Sequence, residues 1–345
     1  MGTVLIESKV ETNSKIESKR ASKPGVTNIL KNIIKGIVPK SIRGEIKKAN
    51  WRFLRNTLEA FGYTVSLRKD YYSPLSSISD LKATMSRWNR PSAMKGVDYN
   101  IEKMEARLST LISPNYLSEF SALPPFEQIE KAGFGVGYIA LDALTLYSMI
   151  RYLKPKRYIE VGSGLSTCYC SLAAEKNASE GYPLQITCIE PFPYEKLYSI
   201  PGIQIIAKEV QDVELSLFEQ LEPNDIFFID SSHMVKVDSD VPFLYLEVLP
   251  ILSVGVEIHV HDIPFPYNVP YPAEKWIFDQ DWPMLWNEAM LLQAFLLFNN
   301  RFTIELSTPM IRYFDEPFLK KTIPIYESLV QHPGPFSSIW LKRAS

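Results

Sequence analysis

Glu160-Val161-Gly162-Ser163-Gly164-Leu165-Ser166-Thr167 follows the strand-forming run Arg157-Tyr158-Ile159 and opens a stretch with helical character. A chain that leaves a strand through two glycines and restarts as a helix lets backbone approach a ligand closely. The helix N-terminus then presents unpaired N–H groups to it. A plain structural turn uses the same Gly-x-Gly, so the flanking text decides. Upstream, 140–153 (ALDALTLYSMIRYL) reads as a helix. Downstream, LQITCIE (184–190), IQIIA (203–207), DIFFID (225–230) and VEIHVHD (256–262) read as strands. Helical stretches at about 166–176, 213–221 and 241–252 separate them. Strands alternating with helices imply right-handed crossovers and a parallel sheet, so the fold class is α/β. The unbroken apolar run Ile226-Phe227-Phe228-Ile229 suits a central strand buried on both faces. RFTIEL (301–306) and SSIWLKR (337–343) predict a closing antiparallel pair, with a helical insertion at about 317–330 between them.

The loop favours a nucleoside over a dinucleotide. Thr167 stands where the dinucleotide fingerprint G-x-G-x-x-G has its third glycine. Glu190 ends the second strand, where a carboxylate accepts both ribose hydroxyls. Asp212 follows the third strand, where an adenine edge would fall, and Glu160 immediately precedes the loop. These acids suit a nucleoside carrying a carboxylate-and-amine tail better than a pyrophosphate.

Three of the four histidines are concentrated at the ends of the fourth and fifth strands, in Asp230-Ser231-Ser232-His233 and His259-Val260-His261-Asp262. Those strands are neighbours in the expected sheet, about 4.8 Å apart. Asp230 and Asp262 therefore converge, with His261 completing a candidate metal set. His259, one full alternation deeper, reads as a core histidine. Carboxylate oxygens suit Mg²⁺, and an imidazole tilts the set toward Mn²⁺, Zn²⁺ or Fe²⁺. His233 is the candidate general base. Between the fifth strand and the last helix lie Phe265, Tyr267, Tyr271, Trp276, Trp282 and Trp286. Tyr267 and Trp276 are candidate stacking residues for an acceptor, and Glu288 a candidate hydrogen-bond partner for it. Cys168, Cys170 and Cys188 lack zinc spacing and read as packing.

The strings VGSGLST, CIEP, FFIDSSH, GVEIHVHDI and WNEAMLLQAF together resemble class I S-adenosylmethionine-dependent methyltransferases, specifically a bacterial Methyltransf_24-type group. The likeness extends over most of residues 60–345. It implies a Rossmann-like seven-stranded sheet of order 3-2-1-4-5-7-6 with its last strand antiparallel. It implies S-adenosyl-L-methionine contacts at Glu160, Gly162, Gly164, Ser166, Glu190 and Asp212, around Ser163 in the same loop, with Tyr138 a further candidate. The implied activity is O-methylation of a hydroxyl on a saccharide or secondary metabolite. Related metal-dependent enzymes use an acidic pair from the fifth strand, and this chain has His261-Asp262 instead.

Composition sets the outer bounds. The 345 residues carry 37 Lys and Arg against 39 Asp and Glu, which excludes a surface coated in positive charge for nucleic acid. Three cysteines fit a reducing, cytoplasmic setting. No apolar run is long enough to span a membrane. Charge is uneven: the first 60 residues hold 13 Lys and Arg against 5 Glu. Residues 1–27 read as a disordered tail, 28–135 as a mostly helical extension or cap, and 136–345 as the cofactor-binding domain. The basic amphipathic stretch 28–58 suits a homodimer contact or a peripheral membrane contact. Two other readings compete with a methyltransferase: an NAD-dependent oxidoreductase, and a non-catalytic nucleoside-binding scaffold attached to membrane by 28–58.

Overall fold

In the computed structural model, residues 40–66, 71–73, 75–324, 326 and 337–345 are described. The expected tail and residues 28–39 of the expected amphipathic stretch lie outside them. The chain divides into two compact units, residues 1–77 and 78–345. In the first, helix α1 (Lys40–Ala60) exposes Phe53 and Leu54, and beyond it Phe61, Tyr71 and Tyr72 are also exposed. Among the described residues no helix is long and apolar enough to cross a membrane.

The second unit is built on one sheet. Its strands are β1 (Arg157–Val161), β2 (Gln185–Ile189), β3 (Ile203–Ile206), β4 (Ile226–Ile229), β5 (Glu257–Val260), β6 (Phe302–Ser307) and β7 (Ile339–Arg343). They lie in the order β3-β2-β1-β4-β5-β7-β6. The first five are parallel, and β7 runs antiparallel between β5 and β6. This is the order the resemblance implies. Every residue of β4 and β5 is buried, as strands covered on both faces require.

Helices cover the sheet. Helix α2 (Ile101–Leu111) is capped by Asn100, whose side chain accepts from the Lys103 N–H. It buries Met104, Leu108 and Leu111 against β6. Residues 78–135, read from sequence as part of a cap, belong to the same compact unit as the sheet. Helix α3 (Pro114–Ser121) packs on α4 (Ala140–Leu153), and α4 on α5 (Leu165–Ser179). Arg151 near the end of α4 bonds Glu119, Glu180 and Asn177, tying these helices together at one end. Trp88 and Tyr99 pack edge-on against Phe278 and stacked on Phe314 respectively. All three cysteines are free, and Cys170 and Cys188 are fully buried. His259 is buried too, stacked on Trp340 with ring centroids 4.1 Å apart.

Candidate functional site

Gly162 has φ +83°, and a Cβ built on it would lie 1.7 Å from the Asp230 carbonyl oxygen at the end of β4. Only glycine permits this approach of β1 to β4. Gly164 is closed in differently: its Cβ would meet the Phe134 carbonyl at 2.7 Å. The loop they shape is tied down by Glu190, which accepts from the Ser163 N–H (3.3 Å) and the Phe192 N–H (2.8 Å).

Above these strand ends lies a cavity of about 430 Å³ lined by Gly162, Glu190, Phe192, Glu209, Gln211 and Asp230, among others. That volume falls within the usual ~300–1,000 Å³ range of small-ligand sites. Among the described residues, Ser231 Oγ and Gln211 Oε1 on its wall are buried without a protein partner. A ligand with donors and acceptors satisfies such groups.

The sequence-selected residues divide. Gly162, Glu190 and Asp230 line the cavity; Glu160, Ser163, Gly164, Ser166, Tyr138 and Asp212 do not. Glu160 is fully buried beneath the loop, accepting from Thr167 Oγ1 and from the Tyr158 hydroxyl at 3.0 Å. Burial pushes its carboxyl up to about 7 against those hydrogen bonds. It holds the loop from below. Ser166 is buried beside it. Tyr138 is buried against His261 and Phe228, its hydroxyl on the Asp142 carbonyl at 3.3 Å. Asp212 ends the 3-10 turn Val210–Asp212 and faces solvent, while Gln211 and Glu209 take the cavity wall.

Asp230 belongs to the cavity and also to a cluster of acids and imidazoles. Single ligand atoms of Asp230, His233 and Asp262 lie within 4.8 Å of one another. His233 Nε2 is 3.3 Å from Asp230 Oδ1 and 3.6 Å from Asp262 Oδ2. His233 Nδ1 meets Glu288 Oε2 at 2.7 Å, and Glu288 Oε1 accepts from the Tyr245 hydroxyl at 2.9 Å. Glu288, first residue of α6 (Glu288–Leu296), is thus buried behind His233, not open to an acceptor. The indole of Trp286 lies against the imidazole, centroids 4.5 Å apart.

His261, expected to complete a metal set, is buried beneath the carboxylates. Its Nδ1 lies 3.3 Å from Asp230 Oδ1, and its Nε2 lies 3.0 Å from Asp142 Oδ2. Asp142, on α4, also accepts from Ser337 Oγ at 2.8 Å and Ser338 Oγ at 2.7 Å. Reading the sequence did not select Asp142. A lone carboxylate within the apolar run Ala140-Leu141-Asp142-Ala143-Leu144 was the available signal.

Charge organises the cluster. Burial would raise Asp230, but His261 and His233 hold its carboxyl well below the usual range. Burial would lower His233, yet the hydrogen bonds it donates to Asp230 and Glu288 push it up to about 10. Burial likewise disfavours a charged His261, and Asp230, Asp262 and Asp142 override it, holding the imidazole well above its ordinary value. Asp262 goes up, because burial outweighs the pull of the two imidazoles. His233 and Asp262 both adopt left-handed backbone, φ +58° and +56°. Such conformations cost about 1–3 kcal/mol each and gather where a site must aim side chains.

A methyltransferase domain family, Methyltransf_24, matches residues 159–263, the span from β1 through the end of β5. An uncharacterized protein of Archaeoglobus fulgidus is 30% identical over 167 residues, covering 45% of this chain and 73% of that one. Among solved structures, the S-adenosylhomocysteine-bound methyltransferase of Podospora anserina is 13% identical. It covers 79% of this chain and 99% of that chain at a TM-score of 0.36. An O-methyltransferase from Bacillus cereus in complex with S-adenosylhomocysteine is also 13% identical, covering 71% and 100% at 0.33.

Proposed function

The chain belongs to the Methyltransf_24 family of class I methyltransferases, and within it we propose that it is an S-adenosylmethionine-dependent O-methyltransferase acting on a small-molecule or glycan hydroxyl. One observation carries the reading: Asp230 is both a wall of the nucleoside-sized cavity and a member of the acid–imidazole cluster, so the two share a boundary. An oxidoreductase gains no support, since Thr167 is spent on Glu160 and the Gly164 N–H beneath the loop.

A bound sulfonium supplies an electrophilic methyl group, and alignment of the nucleophile with the C–S bond supplies much of the rate. Glu190 would accept the ribose hydroxyls, and Gln211 and Glu209 would meet the base; their positions on the cavity wall support these roles. The two carboxylates, Asp230 and Asp262, fit Mg²⁺ or Mn²⁺. A divalent ion held there would supply positive charge that lowers the pKa of an acceptor hydroxyl. Asp230 and Asp262 would hold it, and with that positive charge beside it His233 would be neutral and take the hydroxyl proton as the oxygen attacks the methyl carbon. Glu288 fixes the His233 ring so that Nε2 faces the carboxylates.

The same geometry favours a second reading, in which His233 is a ligand. A carboxylate on the far ring nitrogen is the usual support of a metal-binding histidine. Mn²⁺ titration followed by electron paramagnetic resonance separates the roles. Asp230→Asn should abolish binding under both. His233→Ala with unchanged Mn²⁺ affinity establishes the base, and lost affinity establishes the ligand. If wild type binds no Mn²⁺, the metal is withdrawn from the proposal.

A further inference from the structure

A second cavity, of about 450 Å³, opens away from the nucleoside cavity and the acid–imidazole cluster, with Tyr267, an acceptor-stacking candidate from the sequence, on its wall. One wall is the segment 264–272, which leaves the carboxyl end of β5 directly after Asp262. Two Cα steps place Pro264 at most about 7.6 Å from Asp262. The other wall is the start of helix α7 (Thr308–Thr322), which leaves the carboxyl end of β6. Strands β5 and β6 both run antiparallel to β7, so the two walls rise from the same edge of the sheet as the acid–imidazole cluster.

The chemistry of the walls is specific. Tyr267 and Tyr271 stack on each other with centroids 3.7 Å apart, and Tyr313 stands edge-on to Tyr267 at 6.3 Å. Pro266 and Pro272 add ring C–H surface and no N–H donors. On α7, which is kinked at the non-helical Asp315, Arg312 and Glu316 pair at 3.7 Å. A guanidinium beside a carboxylate presents donors and acceptors side by side, which matches a pair of vicinal hydroxyls. Aromatic and proline faces match the C–H face of a pyranose. A planar aromatic ligand would need a slot between parallel rings, and Tyr267 and Tyr271 close theirs on each other. A phosphate would need uncompensated positive charge, and Glu316 balances Arg312.

We propose that this cleft is a saccharide subsite, taking neutral pyranose units of the acceptor and directing a neighbouring hydroxyl toward Asp262. The direction of the hydroxyl rests on the methyltransferase reading; the sugar binding does not. The test uses the full chain saturated with S-adenosylhomocysteine, applied to an array of neutral and acidic oligosaccharides, with retained glycans then titrated by calorimetry. Neutral glycans should be retained. Tyr271→Ala and Arg312→Met should each weaken them about tenfold and leave S-adenosylhomocysteine affinity unchanged. Tyr271 is 44% exposed, so its removal leaves the core intact. Retention of no glycan, of acidic glycans alone, or of glycans equally by wild type and variants would overturn the subsite. Glycan retention by a protein that binds no S-adenosylhomocysteine would instead sink the methyltransferase reading and leave the subsite standing.

Discussion

Substituting Gly162 with alanine tests the join between the glycine loop and the cluster. The new methyl would sit 1.7 Å from the Asp230 carbonyl oxygen, and φ at this position is +83°. The left-handed conformation alone costs alanine about 1–2 kcal/mol. Relieving the overlap requires the end of β4 to move by more than 1 Å, roughly the gap to a normal contact. That movement breaks the Asp230 N–H bond to the Val161 carbonyl, 2.9 Å long and worth about 1 kcal/mol. Forced overpacking adds about 1–3 kcal/mol. The expected loss is therefore about 3–6 kcal/mol, read as a fall in urea midpoint and a Tm lower by roughly 10 °C or more. Gly202→Ala is the matched control: φ is +79° and its Cβ would meet nothing within 4 Å, so only the conformational cost applies. Equal destabilisation by the two substitutions would refute the close approach of β1 to β4.

Four further outcomes follow from the same contacts. Glu160 has its folded pKa raised from 4.5 to about 7, so its proton is bound more tightly in the folded state. Its contribution is favourable at low pH and is lost as pH climbs from about 4.5 to 7, by up to about 3 kcal/mol; Glu160→Gln should flatten that slope in urea titrations across the window. Arg151→Ala should cost about 3 kcal/mol by urea melting, because two acids lose their partner, while S-adenosylhomocysteine affinity stays constant. Tyr138→Phe and Asp212→Ala should leave calorimetric S-adenosylhomocysteine affinity within about twofold, since neither side chain lines the cavity. Gln211→Ala should weaken it by about five- to tenfold, because a wall polar group is lost.

Local signals carried the fold. Gly162 and Gly164 between a strand and a helix, the buried run of β4, and the alternating elements from 140 to 262 each announce themselves within a few residues. So did the convergence of Asp230 and Asp262, because both close neighbouring parallel strands. What escaped depended on contacts between distant segments. Asp142 is 119 residues from the His261 it bonds, and 55 residues separate His233 from Glu288. No periodicity reports such pairs. Asp212 was chosen by its place after β3, but the 3-10 turn rotates it outward and brings Gln211 in. Glu160 was chosen by its place before the glycines, and strand alternation alone does not say which face meets the cavity. His261 and His233 were both recognised; both are buried, and what the sequence does not report is that the second ring nitrogen of His261 is taken by Asp142 and that of His233 by Glu288.

The central claim is that the cavity over the ends of β1, β2 and β4 binds the nucleoside of S-adenosylmethionine through Glu190. Calorimetric titration of the full chain with S-adenosylhomocysteine measures it directly, with Glu190→Gln alongside. The account predicts micromolar binding at one site and at least about tenfold weaker binding in the variant, whose amide loses the charge that accepts two hydroxyls. Absence of binding to folded, ligand-free protein, or equal binding by the variant, would contradict it.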